Sequence, residues 1–195
     1  VAARDKWRVG GSEAGRAQPV GELAAQLRAR SRVGQPSDIE KLIGAAITES
    51  LEERKVPVDG VIHGVFDDNA QLFAGPKTVS DIWNILPYEN FIVTATLSAD
   101  EIKMVMEEIY AGREPRNLLG IEVKIEGRGL DRRIASMRFP NGPPLEGGKK
   151  YVMAVNSFDA RSAGHHFIKL RTLLDRPEAN YVLHPFQTRD ALIAY

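Results

Sequence analysis

Apolar residues at Ile39, Leu42, Ile43, Ala46, Ile47 and Leu51 recur at the spacing of one helical face, and Ser37 followed by Glu40 supplies a reciprocal start signal. A helix running to about Arg54 follows. The same reading predicts a second helix from Asp100 to about Ala111, where Ser98 and Glu101 frame the start and Ile102, Val105, Met106 and Ile109 share a face. Shorter helical patterns cover Ile82, Trp83 and Ile85 after a cap at Ser80, then Phe167 to Leu174, and finally Thr188 to Tyr195. Leu23, Ala24 and Leu27 fit a helix or a strand equally well.

Strand patterns alternate with these helices. Val61-Ile62 is a short buried strand after the Pro57/Gly60 turn, and Phe91 to Leu97 is rich in β-branched residues. Ile121 to Ile125, Ile134 to Phe139 and Tyr151 to Val155 are separated by Gly- and Pro-rich turns and read as an antiparallel meander. The mixed order, without an internal repeat, predicts an α+β domain with helices packed on a mixed sheet. Val1 to Gly15 lack periodicity, so residues 1–19 read as a lead-in or interdomain linker and residues 20–195 as one domain. The chain begins V-A-A-R-D-K-W-R, with no initiator Met, and reads as a piece of something larger.

Composition then narrows the function classes. With 43% hydrophobic and 27% charged residues the chain is globular, and its 26 basic residues are balanced by 26 acidic ones, so no net field favours nucleic acid. The absence of cysteine excludes disulfides, thiol catalysis and thiolate metal sites while leaving the compartment open. No apolar run is long enough to span a membrane. P-loop, dinucleotide, nucleophile-elbow and H-E-x-x-H signatures are absent, so the chain lacks a self-sufficient catalytic motif.

Three clusters carry candidate chemistry. Arg28, Arg30 and Arg32 fall on one side of an extended segment, a pattern that suits a phosphate or, equally, a solvated charged face. Tyr88 follows Pro87, whose fixed φ presents a ring at an element edge, and Phe158 ends a strand at a small-residue loop. Taken alone, such rings are more often core or rim aromatics than ligand stackers. A metal site would need three or more ligands together, and Asp67, Asp68, His165 and His166 are the densest set; a solvated loop is the plainer reading.

Taken in order, these pieces resemble the C-terminal domain of the 5′-nucleotidase and UDP-sugar hydrolase family, from about Val20 to Tyr195. An Arg-bearing segment precedes a helix whose family core is G-N-L-I-x-D-A, here Glu40 to Ala46. The family's N-G-G-G-I-R loop is here His63 to Asp68, and its L-P-F-x-N motif is Leu86-Pro87-Tyr88-Glu89-Asn90. The strand-helix pair Phe91 to Ile109 follows. The Y-x-V-x-x-N-x-F-x-x-x-G-G-D-G-F segment becomes Tyr151 to Phe158, then Ala163-Gly164-His165-His166-Phe167.

The resemblance implies a substrate-binding domain. A nucleotide or related phosphoester would have its base stacked between Tyr88 and Phe158 and its phosphate held by Arg28 and Arg32, with Arg30 as the alternative; His63, Asp68 and Asn90 complete the implied site. It places no catalytic residue, metal or cofactor in this chain. Two divalent metal ions are expected in an N-terminal metallophosphoesterase domain of the same polypeptide, with a periplasmic, cell-surface or extracellular location. Departures from the family pattern are equally specific. Its loop Asn and Arg are His63 and Asp68 here, and its G-G-D-G loop carries no acid; Asp159 is a poor substitute by position. The alternative expectation is a degenerate binding or structural module that has lost nucleotide chemistry.

Overall fold

The computed structural model describes residues 13–112, 116–128 and 131–195, so most of the predicted lead-in lies outside the described residues. The first turn of helix, α1 (Glu13–Arg16), precedes the expected domain start and strand β1 (Pro19–Leu23) begins one residue before it: Pro19 pairs with Thr78, and the Arg16 guanidinium lies 4.8 Å from the centroid of the Trp83 ring. The segment that suited helix or strand is extended. Strand β2 (Leu27–Arg28) follows β1 and pairs later with β4.

Helix α2 (Asp38–Glu53) starts where its sequence signal lies: Glu40 N–H donates to Ser37 Oγ, and Ser37 N–H donates back to the Glu40 carboxylate at 2.6 Å. Strands β3 (Gly60–His63), β4 (Gln71–Leu72) and β5 (Gly75–Thr78) lead to α3 (Val79–Ile85). Its cap is Thr78 and not Ser80: Asp81 accepts from both the Thr78 N–H and hydroxyl, which fixes the helix start two residues early. Strand β6 (Phe91–Ser98) and α4 (Ala99–Ala111) follow, the latter with a reciprocal Ser98/Glu101 cap.

Next come β7 (Asn117–Leu119), β8 (Glu122–Glu126), β9 (Arg133–Arg138) and β10 (Lys150–Asn156). The chain closes with α5 (Ser157–Ala160), α6 (Ile168–Leu174), β11 (Val182–Gln187) and α7 (Thr188–Ala194). The central sheet has the order β11-β6-β10-β3-β7, mixed as expected. The predicted meander is corrected. Only β8 and β9 form an antiparallel hairpin there, whereas β10 leaves it to lie parallel to β3 and antiparallel to β6. Burial explains the difference: β10 is apolar on both faces and belongs in a sheet interior, while β8 alternates and covers one side only.

Side chains of the sheet divide with period two between two cores. Ile62, Val93, Leu97, Tyr151, Met153 and Val155 face α4, α6 and the β8–β9 hairpin. Val61, Ile92 and Ala154 face α2, α3 and α7. Helix α2 approaches β7 closely at Gly44, where a Cβ would stand 2.9 Å from the Leu119 side chain, so a larger residue would push helix and strand apart.

Candidate functional site

One end of the sheet collects the chemistry. Because β3 and β10 run parallel, both finish at that end, and the antiparallel β6 and β7 begin there. Phe158 sits in the first turn of α5, directly beyond β10, and Tyr88 lies in the loop feeding β6. Both are exposed, at 41% and 58%. The Tyr88 ring meets Phe66, in the loop after β3, edge-on with centroids 4.8 Å apart. Phe91 N–H donates to Ser157 Oγ at 3.1 Å, tying the two ring-bearing loops together. Asn90 is half-buried, and its carbonyl accepts from Thr188 N–H at 3.0 Å.

The arginine segment crosses the same end. Ala29 N–H donates to Ala70 O, Arg28 pairs with Gln71, and Gly34 N–H donates to Asn117 Oδ1, where Asn117 opens β7 opposite His63. Ala29 is buried, while Arg28, Arg30 and Arg32 are all exposed, as alternation along an extended chain requires. Among the described residues none of the three forms an ion pair or a side-chain hydrogen bond. Asp68 is exposed in the loop after β3, whose turn is set by Asn69 N–H donating to Asp67 Oδ1.

Beneath these residues lies a buried polar frame that the sequence pattern did not single out. Arg116, 3% exposed, grips Asp159, 0% exposed, through two hydrogen bonds of 2.9 and 3.2 Å. Asn156 donates to the same carboxylate and accepts from the Asp159 N–H. Burial pushes Asp159 up, and Arg116 and Asn156 oppose that push. The carboxylate at the substitute position is therefore committed inward. Arg116 also lies 5.5 Å from the Phe66 centroid, so the frame supports the ring that supports Tyr88. A second network joins Asn117 Nδ2 to the Glu40 carboxylate, fully buried and pushed up by that burial despite its Ser37 and Asn117 partners.

His63 belongs to this frame and not to the exposed face. It is 1% exposed, and burial, reinforced by nearby Arg116 and opposed by the Gly64 backbone, holds its imidazole down at about 4. It faces the interior, neutral at pH 7. No group of three or more His, Asp or Glu residues suited to a metal ion exists among the described residues, so Asp67, Asp68, His165 and His166 do not assemble one. A cavity of about 710 Å³ runs between α2 and the β7–β8 connection, and none of the predicted site residues lines it.

The family model described as 5′-nucleotidase, C-terminal domain, matches residues 14–171. The chain belongs to that family. Solved structures similar to this 5′-nucleotidase C-terminal domain include a 5′-nucleotidase precursor from Thermus thermophilus, at 20% identity and TM-score 0.75 over 90% of this chain and 36% of that one. A Haemophilus influenzae NAD nucleotidase matches at 15% identity and TM-score 0.72, over 98% of this chain and 36% of its own length. A Thermus thermophilus sulfate thiohydrolase in complex with glycerol matches at 17% and TM-score 0.60, over 74% and 28%. The chain thus spans little more than a third of the first two. No curated protein sequence matches it.

In this 5′-nucleotidase C-terminal domain, the loop after Phe158 is left-handed over four consecutive residues. Ser162, Ala163, Gly164 and His165 all have positive φ, between 44° and 83°. The family pattern places glycines at Ala163 and Gly164, where this backbone favours them. His165, at the position of the pattern's acid, is exposed with its N–H on Ser162 Oγ.

Proposed function

We propose that this domain is the substrate-specificity half of a 5′-nucleotidase-type phosphohydrolase, stacking a nucleotide base between Tyr88 and Phe158. The observation that carries the reading is that two exposed rings and three exposed arginines, without ion pairs among the described residues, lie at one sheet end. A base offers a π face to each ring, and each contact contributes about 1–3 kcal/mol. Arg28 and Arg32 supply the phosphate donors, with Arg30 on the same side of the segment. Asn90 positions the Tyr88 loop. Asp68 and His165 border the ligand with reversed polarity relative to the family pattern, which changes the groups a bound nucleotide or related phosphoester meets there. The fold's relatives include an NAD nucleotidase and a sulfate thiohydrolase, so it is shared by proteins named for different substrates.

No catalytic residue is assigned to the domain. Two divalent ions in an N-terminal metallophosphoesterase domain of the same polypeptide would supply the hydrolytic chemistry, in a periplasmic, cell-surface or extracellular setting. Among the described residues no helix is long and apolar enough to cross a membrane.

Calorimetric titration of adenosine, AMP, UMP and NAD tests the reading. Arg28→Gln and Arg32→Gln should weaken AMP by about tenfold each, in line with charge-assisted hydrogen bonds of roughly 1.5–3 kcal/mol, and leave adenosine unchanged. Equal losses for both compounds would remove the phosphate role. The rewritten positions Asp68 and His165 favour one second reading, a module without nucleotide chemistry; a thermal-shift screen flat across phosphorylated compounds would select it.

A further inference from the structure

The Tyr88 loop is held at both ends by two consecutive residues of the last helix. Thr188 N–H donates to Asn90 O at 3.0 Å, while Arg189 Nη1 donates to Leu86 O at 3.3 Å and Nη2 reaches the Glu89 carboxylate at 3.4 Å. Arg189 is itself immobilised. It is 4% exposed, its Nη2 also donates to Gln187 Oε1 at 3.3 Å, and its guanidinium lies 3.5 Å from the centroid of the Trp83 ring. Trp83 belongs to α3, one turn before Leu86, so one planar group bridges the helix that ends in the loop, the loop's first carbonyl and the residue after Tyr88. Within that span Pro87 and Tyr88 stay exposed, with the Phe66 contact on the ring.

We propose that Arg189 is a positioning residue for ligand binding, setting the height and tilt of the Tyr88 ring through the Leu86 carbonyl and Glu89. The proposal rests on the stacking role of Tyr88 given above. It also draws α7, which lies beyond the residues the family model matches, into the site. A planar five-donor fork satisfies all three acceptors while stacking on the indole; lysine offers one ammonium and no flat face.

The test uses the 195-residue chain with Arg189→Met, Arg189→Lys, Tyr88→Ala and the Tyr88→Ala/Arg189→Met double variant. Without ligand, hydrogen exchange of the loop-flanking Leu86, Phe91 and Thr188 amides, which donate to Ile82 O, Ser157 Oγ and Asn90 O, should accelerate about tenfold in Arg189→Met and less in Arg189→Lys, while α2 and α4 keep their protection. AMP affinity should fall about tenfold in Arg189→Met and not fall further when that change is added to Tyr88→Ala, because the ring it positions is gone. Unchanged loop exchange, or an additive loss in the double variant, would overturn the positioning role. Wild-type affinity in Tyr88→Ala alone would overturn the stacking reading and, with it, the ligand role of Arg189. If Arg189→Met fails to fold, Arg189→Lys carries both measurements, with partial loosening expected and wild-type exchange excluding the role.

Discussion

Tyr88 and Arg116 both lie against Phe66, yet they live under opposite rules. Tyr88 is more than half exposed and its ring contact is with Phe66; Arg116 is buried, bound twice to Asp159 and packed near two rings. The arginines of the 28–32 segment share Tyr88's condition, while Asn156, Asn117, Glu40 and His63 share that of Arg116. Exposed residues can be exchanged at small cost to folding, so ligand choice can drift there. Buried polar groups cannot, since each one removed leaves a partner without water or hydrogen bond. Two of the substitutions away from the family pattern, Asp68 and His165, follow this division, whereas His63 replaces the pattern's Asn in the interior.

The largest break should come from the frame. Arg116→Met or Asp159→Leu alone should cost about 3–5 kcal/mol in urea unfolding, and the double variant should recover most of it, because the penalty lies in the stranded charge. Single losses below about 1 kcal/mol would show that water reaches the pair.

His63 gives the next effect, and its sign is fixed by burial. Its imidazole titrates at about 4 in the folded chain and near 6.5 unfolded, so between these values the unfolded state holds more protons. Stability should therefore be full above about pH 7 and decline as pH falls toward 4, by up to about 3 kcal/mol. Comparing unfolding of wild type and His63→Asn at about pH 7.5 and about pH 4.5 isolates this; a gap that does not change with pH would place His63 in water.

On the exposed side the balance reverses. Tyr88→Ala and Phe158→Ala should each weaken nucleotide binding by about 1–3 kcal/mol while moving unfolding by no more than about 0.5 kcal/mol. A large stability loss with intact binding would make the rings structural. Smallest of all, His165→Gly should stabilise the chain by up to about 1 kcal/mol, since an exposed residue gives up a left-handed φ of 75°. Destabilisation would reveal a contact made by the imidazole.

The sequence pattern reached unevenly into this architecture. Helices α2 and α4 were legible because face periodicity and both partners of each cap lie within a few residues. The exposure of Tyr88 follows the same local logic, a ring beside Pro87, whereas Phe158 does not end the strand as expected: β10 stops at Asn156 and Phe158 lies in α5. Strand β11 was missed because Pro185 sits inside it, tolerated because it lies at the sheet edge, and β7 because three residues carry too little alternation. The partner of β10 was not legible, since an apolar strand does not name its neighbours. Nor was Arg116, which meets Asp159 across 43 residues, or the inward turn of His63, whose strand is buried at every position.

The pairing of Ile62 with Val155 also dictates when the domain can be completed during synthesis. Strand β3 waits for a partner more than ninety residues downstream, and β6 waits for β11 across a similar distance. Such distant closures make a slow-folding topology. As the ribosome releases the chain from its N-terminus, α2 and α4 can form early, but Arg116, which lies beside Phe66, has no Asp159 to bind until the residues around Asn156 emerge. Any product truncated before that point would expose Val61 and Ile62 as an apolar edge, a surface for chaperones before it is one for ligands.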